Sequence, residues 1–187
     1  MGVILNWPNI LTLARIALIP VMALVYLLDY RWSSLVACAI FALAGFTDWL
    51  DGYLARRFNE TSAFGRFLDP VADKLIVVTA LLLLLTHETS IWMTLAVIII
   101  VGRELTISAL REWMAEMGHP QNVAVSYIGK VKTTMQMLAI GFMLFREPLG
   151  SFQVYGVGVA MLLIAAGLTL WSMSLYLLAA WPELKKG

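Results

Sequence analysis

Apolar residues gather along the chain into six long runs separated by short polar breaks. The runs cover roughly residues 9–29, 33–57, 66–86, 90–116, 125–146 and 152–181. Each is about twice the length of the ten-residue alternating segments that build a closed membrane barrel, so the pattern predicts helices of membrane-spanning length. The breaks carry turn chemistry: Asp29-Tyr30-Arg31, Asn59-Glu60-Thr61-Ser62, His87-Glu88, Gly118-His119-Pro120 and Glu147-Pro148-Leu149-Gly150. Connections this short leave no room for a second domain. The expectation is an all-α integral membrane protein, a single six-transmembrane-helix bundle occupying residues 1–187.

Composition agrees. Hydrophobic residues make up 61% of the chain, charged residues only 13%, and the mean hydropathy is +0.84. A soluble domain carries about a quarter charged residues, so this chain has too little polar surface to cover itself in water. A formal net charge of +1 and the lack of a basic arm exclude nucleic acid as a partner. Cys38, the single cysteine, cannot form an intrachain disulfide and reads as a small membrane-facing hydrophobe. Nothing cationic precedes Trp7 and no small-residue cleavage site closes the first run, so no cleavable signal is expected.

Lysine and arginine placement sets the orientation. Six crossings put both termini on one side with the second-to-third and fourth-to-fifth connections. In or beside those segments lie Arg56, Arg57, Arg66, Arg111, Lys130, Lys132, Lys185 and Lys186, against Arg31 and Arg146 opposite. Both termini are therefore expected in the cytoplasm. Trp7, Trp32, Trp92, Trp113 and Trp181 fall near run ends, where interfacial anchors belong.

One stretch breaks the apolar pattern: "FTDWLDGYLARRFNETSAFGRFLDPVADKL", residues 46–75. It holds Asp48, Asp51, Asp69 and Asp73. A carboxylate at the centre of a spanning helix costs roughly 2.5–3.5 kcal/mol, so four would cost on the order of 10 kcal/mol, discounted by their place near the helix ends. Something positive must neutralise them. At about 100° per residue, Asp48, Asp51, Gly52, Ala55 and Arg56 share an arc of about 140°, and Gly65, Asp69 and Asp73 an arc of about 80°. The hairpin between the two runs brings these faces together. Solvated, capped helix ends explain one such aspartate. They do not explain four in i,i+3 and i,i+4 pairs with small residues on the same faces. Two pairs of hard oxygen ligands form a cage for divalent cations, and four charges balance two ions. Glycine and alanine beside them let a substrate lie against the backbone.

The stretch matches D-x2-D-G-x2-A-R-x8-G-x3-D-x3-D at all eight fixed positions: Asp48, Asp51, Gly52, Ala55, Arg56, Gly65, Asp69 and Asp73. In this it resembles the CDP-alcohol phosphatidyltransferases. The resemblance implies a six-helix membrane enzyme, usually a homodimer, that uses two divalent cations, Mg2+ or Mn2+. Such enzymes attack the β-phosphorus of a CDP-linked lipid with an alcohol and release CMP. It further implies Asp48, Asp51 and Asp69 as principal metal ligands. Asp73 is implied as the base for the acceptor hydroxyl, touching a metal as well. Gly52, Ala55 and Arg56 would meet the nucleotide of CDP-diacylglycerol. On the first run, "WPNILTLAR" sets Asn9, Thr12 and Arg15 on one stripe. Capping explains Asn9 and Thr12 but not Arg15 two turns inside. Similar stretches in the family line the nucleotide end of the site.

A second polar constellation lies in "GRELTISALREW" (102–113) and "SYIGKVKTTMQ" (126–136). Glu104, Ser108 and Arg111 share a stripe, with Arg103 within roughly 80° of Arg111. Lys130 has Thr133 and Thr134 on its face, and Lys132 pairs with Gln136. Positive-inside topology and a Glu104–arginine pair account for Lys132 and Glu112, but less well for Arg103 and Lys130 inside the spans. Buried cations need an anion, and arginine suits a phosphate. These stretches, and most of the chain up to "LWSMSLYLLAA" (169–180), resemble the bacterial branch of the family whose acceptor is sn-glycerol 3-phosphate. That resemblance implies Arg103, Arg111, Lys130 and Tyr176 around glycerol 3-phosphate, and a bacterial cytoplasmic-membrane enzyme with its site facing the cytoplasm. For Tyr176, packing explains the residue equally well.

Other readings stay open at this point. An inositol phosphate acceptor would need the same basic residues; a serine acceptor would not. A divalent-cation transporter would place its carboxylates near the membrane midplane on broken helices of an internal repeat, and no convincing repeat is visible. A helical scaffold would need neither the aspartates nor Arg56. His87 and His119 fall on opposite sides of the membrane and cannot form one site.

Overall fold

In the computed structural model the described residues are 7–28, 30–58, 63–88, 90–116, 127–148 and 150–184, with side chains described except at 7–8, 51–58, 63, 66, 111, 115, 127–130, 176 and 179–184. They form six helices: α1 (Trp7–Leu27), α2 (Ser33–Phe58), α3 (Ala63–Leu85), α4 (Ile91–Glu116), α5 (Tyr127–Phe145) and α6 (Val154–Leu184). Each expected helix is present, with ends shifted by a few residues.

Local chemistry explains several of those ends. At the start of α2 the Tyr30 amide donates to Ser33 Oγ (3.1 Å) and the Ser33 amide donates to the Tyr30 carbonyl (2.9 Å), a reciprocal cap. At the end of α3 the Thr86 hydroxyl and amide both donate to the Leu83 carbonyl, at 2.7 and 3.0 Å. After α5, Arg146 takes the left-handed conformation (φ 58°) that more often falls to glycine, and Pro148 prevents continuation. Pro20 and Pro70 each remove one amide inside α1 and α3, a loss tolerated in membrane helices where neighbours meet the freed carbonyl.

Burial identifies the solvent. Among the described residues four helices are long and apolar enough to cross a membrane, yet only 28% of Asn9–Leu27, 22% of Ser33–Leu50, 28% of Ile91–Met114 and 33% of Val154–Leu175 lies buried. Leu24, Leu178, Ile98 and Trp171 stand more than half exposed. Apolar surface on that scale belongs against lipid. In α3, Asp69, Asp73 and Lys74 interrupt the apolar pattern of the N-terminal half, and in α5 the apolar stretch is the shorter Val131–Phe145. Trp32 and Trp92 are exposed near helix starts, as interfacial anchors should be. Trp7 and Trp181 lie outside the described side chains.

The chain divides into two compact units. Unit 1 comprises Met1–His87 and Ile140–Tyr155. In it α1 packs along both α2 and α3, whereas described residues of α2 and α3 touch each other little. Tyr26 meets His87 edge-on (5.3 Å between centroids), fastening the end of α1 to the segment after α3. The Cys38 thiol donates to the Gly141 carbonyl at 3.4 Å, so its sulfur is half-buried against α5 rather than turned wholly to lipid. Unit 2 comprises Glu88–Ala139 and Gly156–Gly187, holding α4, the first part of α5 and most of α6.

Within each unit the buried stripes invert the soluble pattern. On α1 the buried residues are Asn9, Thr12, Arg15, Ile19, Met22 and Tyr26, one helical stripe that is polar at the N-terminal end. On α5 they include Lys132, Gln136, Ala139, Ile140 and Met143; on α6 they include Leu162, Ala165, Ala166, Thr169 and Ser172. Polar side chains face inward because lipid offers them no hydrogen bonds, while leucine is equally at home outside.

Candidate active site

The polar end of α1 places its side chains on the carboxylates of α2 and α3. Asn9, Thr12 and Arg15 follow one another at i,i+3 spacing on one buried stripe of the helix. Thr12 Oγ1 donates to Asp69 Oδ1 at 2.7 Å. Arg15 Nη1 donates to Asp48 Oδ1 at 2.9 Å and to Asp73 Oδ1 at 2.6 Å. One guanidinium nitrogen thus joins two aspartates from different helices, 33 and 58 residues away along the chain.

Exposure makes this an open site with a closed wall. The Arg15 side chain is 1% exposed, while those of Asp48 and Asp73 are 45% and 47% exposed. The cation is sealed behind the carboxylates, and their free faces point outward, where a ligand can reach them. Beside them Phe46 and Trp49 form an exposed aromatic pair with centroids 5.9 Å apart, apolar bodies suited to the membrane interface. Gly65, one turn before Asp69, is buried.

Of the residues expected at the site, Asn9, Thr12, Arg15, Asp48, Asp69 and Asp73 all lie in unit 1, at the polar end of α1 and on the two helices it packs against. The backbones of Asp51, Gly52, Ala55 and Arg56 continue α2, but their side chains lie outside the described residues. Sequence reasoning set α1 at the nucleotide end and assigned the neutralising charge to metal ions. The structure adds that Arg15 supplies part of that charge itself. The signal was present: a lone arginine two turns inside an apolar helix, on the stripe of Asn9 and Thr12.

The donor set suits a hard divalent cation: carboxylate oxygens from two helices, half-exposed and drawn within hydrogen-bonding distance of one nitrogen. Among the described residues no three such side chains close around a single point. Asp51, the remaining carboxylate of the motif, is outside them.

In unit 2, Arg103 Nη1 donates to Glu104 Oε1 at 2.6 Å, with 13% of the arginine side chain exposed. The glutamate–arginine pair therefore forms through Arg103. Thr133 and Thr134 are exposed, as is Glu112. Arg111, Lys130 and Tyr176 sit in α4, α5 and α6, their side chains outside the described residues. Lys132 departs from the sequence reading. A topology charge would reach the membrane surface, yet Lys132 is fully buried.

Known proteins resemble the chain along most of its length. The family model described as CDP-alcohol phosphatidyltransferase matches residues 5–171. A Pseudomonas fluorescens protein named CDP-diacylglycerol–glycerol-3-phosphate 3-phosphatidyltransferase is 51% identical over 183 residues, covering 97% of this chain and 93% of its own. Proteins of the same name from Shigella flexneri serotype 5b and Salmonella typhimurium are 51% and 50% identical over 179 residues, covering 96% of this chain and 97% of theirs.

Proposed function

The chain belongs to the CDP-alcohol phosphatidyltransferase family, and from that premise we propose that it transfers the phosphatidyl group of CDP-diacylglycerol to sn-glycerol 3-phosphate. The products are phosphatidylglycerophosphate and CMP. The observation that carries the reading is the gathering of Asp48, Asp69 and Asp73 by Thr12 and Arg15 at one end of α1. Relatives at about half identity along the whole chain, all named for this reaction, support the acceptor.

The reaction is one in-line displacement at phosphorus. The acceptor hydroxyl oxygen forms a bond to the β-phosphorus, the bond from that phosphorus to the CMP oxygen breaks, and the hydroxyl proton passes to Asp73. Asp48, Asp51 and Asp69, with Asp73 at the margin, would hold two divalent cations, Mg2+ or Mn2+, whose charge would offset that of the pyrophosphate and the leaving oxygen. Arg15 holds Asp48 and Asp73 in mutual register, so the ligand and the base stay oriented without help from solvent. Asn9 and Thr12 continue that wall toward the nucleotide, where Gly52, Ala55 and Arg56 make room for it and contact its phosphates. Arg103, Arg111 and Lys130, with Tyr176, bind the phosphate and hydroxyls of the acceptor.

All six helices cross the bacterial inner membrane as one domain spanning residues 1–187, with both termini and the site on the cytoplasmic side, where both polar substrates are available. The enzyme works as a homodimer among membrane lipids. The deciding assay is CMP release by detergent-solubilised protein given CDP-diacylglycerol and, separately, glycerol 3-phosphate, serine, inositol or inositol phosphate. Release that depends jointly on CDP-diacylglycerol and glycerol 3-phosphate is expected. Release with serine or an inositol compound alone would assign a different acceptor, and none with any alcohol would remove the enzymatic reading.

A further inference from the structure

Arg15 puts a fixed positive charge inside the carboxylate cluster, so the four aspartates of the motif no longer balance two divalent cations. Four carboxylates less one guanidinium leave a formal charge of −3, against the +4 of two such ions. Nor are the aspartates equivalent. Asp69 Oδ1 accepts from a neutral hydroxyl, Thr12 Oγ1, at 2.7 Å, a contact that leaves its charge in place. Asp48 Oδ1 and Asp73 Oδ1 accept from a single nitrogen, Arg15 Nη1, at 2.9 and 2.6 Å. The point between those two oxygens already holds a cation.

Arg15 does not give up these partners freely. Its side chain is 1% exposed, so a guanidinium stripped of its carboxylates there becomes a buried, poorly answered charge. The carboxylates themselves are nearly half exposed, and water can serve them. The cost of parting therefore falls on the arginine. It is lowered by any anion that enters along the open face of the carboxylates and answers part of the guanidinium's charge. A pyrophosphate is such an anion, because guanidinium–phosphate contacts are charge-assisted and often bidentate.

We propose that Arg15 is a resident cation that limits the site to one divalent ion until the liponucleotide binds, and that the pyrophosphate admits the second. The inference rests on the two-cation reading above and adds an order of loading to it. Charge favours that order. One divalent ion brings the cluster from −3 to −1. The two negative charges of the pyrophosphate and a second ion then add nothing net. A second ion without the lipid would instead leave an excess positive charge beside a sealed guanidinium. Donor lipid and second ion thus bind together, and the site carries its full charge only when there is a phosphorus to attack.

Counting bound Mn2+ by electron paramagnetic resonance tests this in detergent-solubilised full-length protein, with no acceptor present and protein-free micelles as the blank. At Mn2+ that saturates the first ion, the wild type should hold one ion per chain without CDP-diacylglycerol. With the lipid it should hold two, and the spectrum of a spin-coupled pair should appear. Arg15→Met should show the coupled pair without the lipid, because the second ion binds roughly ten- to a hundredfold tighter once no cation opposes it. Arg15→Gln keeps amide donors but not the charge and should do the same; it decides if Arg15→Met does not fold. A merely structural role for Arg15 would leave the count unchanged. A coupled pair in the wild type without the lipid would overturn the proposal and leave the two-cation reading standing. So would a single ion in both variants without the lipid. One ion or none in the wild type with the lipid present would overturn the two-cation reading, and the proposal with it.

Discussion

Replacing Arg15 by methionine probes how the site is held together before any substrate binds. The substitution keeps most of the side-chain volume in a buried position and removes the one nitrogen that Asp48 and Asp73 share. Two charge-assisted hydrogen bonds are lost, each about 1.5–3 kcal/mol at full strength. Asp48 and Asp73 are nearly half exposed, so water rehydrates them once they are released. The loss falls to about 2–3 kcal/mol in total. For a chain of this size that lowers the unfolding temperature by about 4–12 °C. The assay is thermal unfolding in detergent at a fixed heating rate, in excess chelator and again in Mn2+. In chelator the variant should melt below the wild type by that amount. In Mn2+ the gap should narrow, because a divalent cation restores positive charge between the same two carboxylates. A variant that melts with the wild type in chelator would refute the reasoning, since Arg15 would then not be what holds α1 to the aspartates of α2 and α3. Arg15→Lys should recover little, because a single ammonium cannot reproduce the planar donor set.

The proposed mechanism carries further expectations. Asp48→Asn, Asp51→Asn and Asp69→Asn should each abolish CMP release, and chelator should silence the wild type until Mg2+ or Mn2+ is returned; full activity in excess chelator would sink the two-metal reading. Thr12→Val removes one hydrogen bond to a half-buried carboxylate and should weaken Mn2+ binding about tenfold, measured by titration calorimetry. Arg103→Ala, Arg111→Ala and Lys130→Ala should raise the KM for glycerol 3-phosphate roughly ten- to a hundredfold each. Loss of CDP-diacylglycerol affinity instead would mean the basic residues serve the other substrate. Asp73→Asn should cut kcat severely while CDP-diacylglycerol still binds, and a chirally labelled β-phosphate should show inversion. Retention, with CMP exchange in the absence of acceptor, would make an aspartate a nucleophile rather than a base.

Much of this protein is legible in its sequence because the governing rules are local. A run of twenty apolar residues in lipid must form a helix to satisfy its own backbone, so the six helices follow from run length and turn residues alone. The faces follow too: 100° per residue places Asn9, Thr12 and Arg15 on one stripe and Asp69 with Asp73 on another, whatever the neighbours are. The carboxylate motif is local in the same sense, since its spacing is a helical spacing on each side of one short hairpin.

Which side chain answers which across helices was decided only in three dimensions. The hairpin reading joins α2 to α3 directly, whereas the structure joins their aspartates through Arg15 of α1, the helix that packs along both. Lys130 and Lys132 look alike in sequence, two cations at the start of one helix. Only the fold reveals that Lys132 is sealed inside while Arg103 already has Glu104 beside it. The physical reason lies in the solvent. In water an amphipathic pattern declares the buried face, because apolar residues must leave the surface. In lipid a leucine is as stable outside as inside, so apolar positions do not report which way a helix is turned. The few polar residues carry that information, and they are satisfied by partners far along the chain, which local periodicity cannot name.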